Sequence, residues 1–66
     1  MSVAKTIEIS ADSPKGFEEA IQEGVTKAGE SVDHIQRAWV KDHIVLVNEG
    51  KVEGYRVHMN VTFKVN

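Results

Sequence analysis

Cysteine is absent from the chain, which excludes disulfides and the thiolate sites that hold most structural zinc. Nor does any stretch approach the roughly 18 consecutive apolar residues of a membrane-spanning helix. Met1-Ser2-Val3-Ala4-Lys5 lacks the apolar core of a secretory signal. The expectation is a cytoplasmic protein with no membrane partner. Neither sign of charge dominates: eight Lys and Arg stand against ten Asp and Glu, a net −2, with no basic block to follow a phosphate backbone. Nucleic acid is therefore not expected as a partner. No thiol nucleophile, no Ser-His-carboxylate order and no Gly-rich phosphate loop occurs, so the chain does not read as an enzyme.

What is present is 66 residues, enough for one domain spanning 1–66 but not for a large core. A domain of this size buries only about 60% of the surface its unfolded chain exposes. With disulfides and thiolate metals excluded, association with further copies is the expected source of additional stability.

Val3 to Ser10 alternates with the two-residue period of a strand, Val3, Lys5, Ile7 and Ile9 on one side and Ala4, Thr6, Glu8 and Ser10 on the other. Ser13-Pro14 then reads as a helix entry, with the Ser hydroxyl as cap and Pro at the first helical position. Phe17, Ala20, Ile21, Gly24, Val25 and Ala28 follow at the spacing of an amphipathic stripe. Gly24 lies on that stripe, which predicts close backbone approach, and Gly29 is a plausible stop.

The second half, Ile35 to Val65, predicts a long hairpin turning at Asn48-Glu49-Gly50. Tyr55, Val57, Met59, Val61, Phe63 and Val65 face the helix, as do Ala38, Val40, Ile44 and Leu46 by the alternation of the preceding strand. The fold class is α+β, a β-α-β-β unit whose three-stranded antiparallel sheet carries one helix on its apolar face, the last strand in the centre.

The opposite face is predicted to carry Ile35, Arg37, Trp39, Lys41, His43, Val45 and Val47, joined by Arg56 and His58. This mixture suits a subunit interface or a ligand site better than a plain solvated surface. Trp39 there packs against another subunit or stacks on a flat ligand. Arg37 and Arg56 clamp an anion or form ion pairs. His34, His43 and His58 lack the spacing of a known metal site, and no metal ligand is assigned. Asp42 falls on the apolar side by parity, so it lies past the helix end, pairs with a cation or marks a bulge.

The chain resembles the dodecin family over essentially its whole length. The residues that carry the likeness are Lys5-Thr6-Ile7-Glu8-Ile9, Ser13-Pro14 ahead of Phe17-Glu18-Glu19-Ala20-Ile21, Gly50-Lys51-Val52-Glu53-Gly54-Tyr55-Arg56-Val57, and Val61-Thr62-Phe63-Lys64-Val65. The resemblance implies a sheet curled around the helix and a hollow homo-dodecamer. It also implies a non-catalytic store or buffer for a flavin, FMN or riboflavin-type, stacked between Trp rings of two-fold-related subunits with a Gln at the ring edge. In this chain Arg37 stands at the position of that Trp, Trp39 comes two residues later, and Arg56 stands at the position of the Gln. Carried over, the cofactor-binding residues are Trp39, Arg37 and Arg56. The alternative that the departures suggest is the same assembly without a flavin site, structural or binding a metal ion or an anionic small molecule.

Overall fold

In the computed structural model, which describes residues 2–65, the elements run β1 (Ala4–Ser13), α1 (Phe17–Ser31), β2 (Ile35–Asn48) and β3 (Lys51–Lys64). The sheet order is β1-β3-β2 and both pairings are antiparallel, so β3 is central as its alternation requires. Odd-numbered β3 residues turn toward α1: Val57, Met59 and Val61 are each 0% exposed and form the core with Ala20. Ile9, Ala11, Phe17, Ile21, Ala38 and Val40 close around them.

Gly24 is where helix and sheet come closest. A Cβ there would lie 2.6 Å from Met59 Cε and 3.0 Å from Ala11 Cβ, so any side chain at this position displaces the core. The hairpin turn is the two-residue loop Glu49-Gly50, with φ of 51° and 77° at its two positions. Positive φ at both central residues is the turn whose twist matches that of the strands it joins.

The entry to α1 differs from the sequence expectation. β1 continues through Ala11 and Asp12 to Ser13, Pro14 lies in the bend that follows, and Gly16 is the cap, without a side-chain hydrogen bond. The buried Ser13 hydroxyl instead accepts the Lys15 backbone N–H at 3.0 Å and donates to Glu19 Oε1 at 3.0 Å. Phe17 anchors the first turn, its ring meeting His43 at 4.9 Å and Tyr55 at 5.1 Å, both edge to face. At the other end Gly29 does not stop the helix. It runs to Ser31, and the Val32 N–H closes the last turn on Ala28 O.

The second correction concerns which way β2 faces. Its pairing with β3 shifts between Ile35 and Arg37, between Val40 and Asp42, and between Leu46 and Val47. Each shift reverses the parity of the residues beyond it. Ile35 therefore pairs with Phe63 and faces the helix, and its Cδ1 lies 3.9 Å from where a Gly29 Cβ would be. Past Val40, His43 pairs with Val57 and Val45 with Tyr55, on the helix side, whereas Ile44 pairs with Arg56 and Leu46 with Gly54, on the helix-free side. Asp42 marks the bulge and is thereby carried out of the apolar layer to sit opposite His58.

Beyond the Ser13–Tyr55 row no β1 residue remains, and the hairpin continues to its tip as two strands alone. This arm contributes to a long axis of 51 Å, and Val47 and Val52, paired near its tip, are 61% and 55% exposed.

Candidate functional site on the helix-free face

The helix-free face is a ladder of cross-strand rows, each with a β1 residue, a β3 residue and a β2 residue in that order. Thr6, Thr62 and Arg37 form one row; Glu8, Asn60 and Trp39 the next; Ser10, His58 and Asp42 the third; Asp12, Arg56 and Ile44 the fourth. Leu46 follows on β2, its Cδ1 3.2 Å from the space a Gly54 Cβ would take, so Gly54 lets this side chain lie flat on the sheet.

Charge on this face is organised as pairs across the strands. Lys41 reaches over β3 to Glu8, Nζ to Oε2 2.8 Å. Arg56 donates through Nε and Nη2 to the two Asp12 oxygens at 2.8 and 3.0 Å, a bidentate clamp. His58 Nδ1 lies 3.4 Å from Asp42 Oδ2. The Lys41 hydrogen bond holds the Glu8 carboxyl below its usual range, and Glu8 in turn holds the Lys41 ammonium above its own. Arg56 likewise lowers the Asp12 carboxyl by hydrogen bonding it. Thr6 and Thr62 share a hydroxyl hydrogen bond of 3.0 Å.

Trp39 stands in the middle of these pairs, 62% exposed. Of the residues expected at a cofactor site, Arg37 lies on the same strand and face two positions away, about 7 Å along β2. Arg56 lies two rows to the other side of Trp39, on the order of 13 Å away, with its guanidinium held by Asp12. The structure brings Arg37 to Trp39 and does not bring Arg56 there. The three His residues are also separated: His58 is on this face, His43 is under Phe17 on the other, and His34, at φ 63°, is in the turn before β2. Among the described residues no group of three His, Cys, Asp or Glu is placed to hold a metal ion. No helix among them is long and apolar enough to cross a membrane.

Sequence reasoning missed Ile44 and Leu46 on this face and the Asp12–Arg56 clamp. The signal that could have found the first two is Lys41-Asp42, adjacent polar residues that break an otherwise regular alternation.

A β-α-β-β chain with this sheet order and a two-faced central strand is that of the dodecins, and the family model described as Dodecin matches residues 3–66. The chain belongs to the dodecin family. It is 38% identical over 65 residues to the calcium dodecin of Mycobacterium tuberculosis, covering 98% of this chain and 92% of that one. The crystal structure of that protein, described as calcium-chelating with a calcium-binding site, aligns with a TM-score of 0.85 at 39% identity over 98% of this chain and 93% of that one. A mutant of the Thermus thermophilus dodecin aligns with a TM-score of 0.93 at 29% identity, covering 100% and 98% of the two chains. The Streptomyces davaonensis dodecin, at 23% identity and a TM-score of 0.93 over 98% and 96%, shares the fold.

Proposed function

We propose that the protein is a non-catalytic binding protein that assembles through its helix-free face into a homo-dodecamer and sequesters a flavin, FMN or riboflavin-type, with the ring stacked on Trp39. The observation that carries this reading is an indole 62% exposed in the middle of a sheet face on which Glu8 and Asp12 are already paired with Lys41 and Arg56. Such a ring gains most from a flat aromatic partner that covers it and asks for few hydrogen bonds in return. Arg37, one row from Trp39, lies at one end of the ring, while Arg56, two rows to the other side, is held by Asp12. Assembly is supported by the exposed Val47 and Val52, and by an arm of two strands, an element that is marginal in water until something packs on it.

The sole Trp makes the test direct. Addition of FMN should quench Trp39 emission saturably, and Trp39→Ala should abolish flavin binding while leaving the fold intact by circular dichroism. Unchanged emission at millimolar FMN would refute the flavin.

A second reading, a divalent-cation store, is favoured by the 38% identity to a protein named calcium dodecin. In this chain the carboxylates of the face, Glu8, Asp12 and Asp42, would have to leave Lys41, Arg56 and His58 to take a cation. Calorimetric titration with calcium distinguishes the two, since on the flavin reading it gives no heat of binding at micromolar concentrations.

A further inference from the structure

Two of the carboxylates on the helix-free face have a permanent counter-charge, and the third does not. Glu8 is held by Lys41 at 2.8 Å, and Asp12 by two Arg56 nitrogens at 2.8 and 3.0 Å. The second bulge of β2 turns Asp42 onto the same face, where its one ion-pair partner among the described residues is His58, Nδ1 to Oδ2 3.4 Å. His58 stands on the central strand, so charge reaches it from both sides. From β1 it meets Ser10 directly, with Glu8 and Asp12 in the rows on either side. From β2 it meets Asp42 directly, with Lys41 in the bulge beside it, and along β3 its neighbours on this face are Arg56 and Asn60. Arg37 is two rows away, beyond Trp39, about 13 Å along the strand. Around the imidazole, three carboxylates therefore meet two permanent cations, and the balance depends on whether His58 carries a proton.

We propose that His58 and Asp42 form a pH-sensitive switch on the assembly: copies that pack through this face hold a proton at His58, and their association loosens as pH rises through the histidine range. The inference rests on the assembly reading above and adds its regulation. In a single chain the pair has little leverage, because the two side chains are 38% and 57% exposed and water screens them. Covering the face removes that water. Desolvation alone favours the neutral imidazole, but a neutral His58 leaves Asp42 as a covered carboxylate with no counter-charge, which is the costlier state. With the imidazolium in place every carboxylate of these rows is paired. The contribution is thus complete on the acid side of the histidine range and is lost as pH rises through it. His58 recurs in every copy, so the effect repeats at each covered face. His43, under Phe17 on the other face, and His34, in the turn before β2, stand outside the switch.

The test is the urea concentration at which the full chain loses its assembled species, followed by sedimentation velocity at fixed protein concentration. Between about pH 6 and about pH 8, the interval in which histidine changes charge, this midpoint should fall by about 0.5 M or more. Such a shift corresponds to a tenfold change in proton affinity at each copy, read through the urea slope of a small domain. His58→Lys, a permanent cation, should keep the midpoint high and flat across the interval. His58→Gln should make it flat and low, and Asp42→Asn should flatten it by removing the charge to be balanced. His43→Gln should retain the slope of the unaltered protein. An assembled protein whose midpoint is flat or rises between these pH values overturns the switch and leaves the assembly reading standing. A slope that survives His58→Gln assigns the proton elsewhere and also overturns it. A monomer throughout the interval overturns both.

Discussion

The two faces of the one sheet are built on different principles, and β3 belongs to both. Its odd residues meet α1 as a dry layer in which Val57, Met59 and Val61 have no exposed surface. Its even residues, Arg56, His58, Asn60 and Thr62, form a ladder of ion pairs and hydroxyls around an exposed indole. The first face is complete within one chain, whereas the second has Trp39, Arg37 and Lys64 without partners among the described residues. Stability should therefore be sensitive to changes on the first face, and binding to changes on the second.

The largest effect that would sharpen this contrast is Met59→Ala. Removing a fully buried side chain beneath the helix should cost about 2–5 kcal/mol by transfer and cavity terms. Urea denaturation measures it, and a loss below about 1 kcal/mol would mean the core is looser than its burial indicates. Gly24→Ala comes next. The new methyl meets Met59 Cε at 2.6 Å and Ala11 Cβ at 3.0 Å. Overpacking of this kind costs about 1–3 kcal/mol, offset in part by the better helix propensity of Ala, so a net loss of about 1 kcal/mol is expected in the same assay.

On the other face the expected effect is small and depends on pH. Glu8 is held below its usual range by Lys41, so the pair stabilises the folded chain above the ordinary carboxylate value and loses that contribution as pH falls through the lowered one. Lys41, raised by Glu8, contributes fully below its ordinary value and loses that contribution only as pH rises through the raised one. Lys41→Met should return the Glu8 titration, followed by NMR, upward toward the usual carboxylate range and flatten the acid limb of the stability profile. A Glu8 titration that does not move would show that the pair is not held in solution.

How much of this was legible differs between β3 and β2 for a physical reason. A central strand is paired on both sides, so its alternation survives intact from Tyr55 to Phe63 and can be read directly. An edge strand tolerates bulges. β2 has three register shifts, and alternation read through Lys41-Asp42 puts His43 and Val45 on one face and Ile44 and Leu46 on the other, the reverse of what is found. Trp39 and Arg37 were placed on the right face because both lie between the first two shifts. Asp42 signalled the second shift, since a carboxylate has no place in an apolar layer. The helix entry was missed because Ser13-Pro14 satisfies local capping preferences equally well, while a tertiary contact, Phe17 against His43 and Tyr55, places the first turn three residues later. The Asp12–Arg56 clamp joins residues far apart in sequence and becomes visible only with the register.

The central claim is that the helix-free face and the two-stranded arm are completed by further copies of the chain. Sedimentation velocity at micromolar concentration tests it most directly. A single species of dodecamer size, with no detectable 7.3 kDa component, is the expected result. A stable, folded monomer at that concentration would contradict the account.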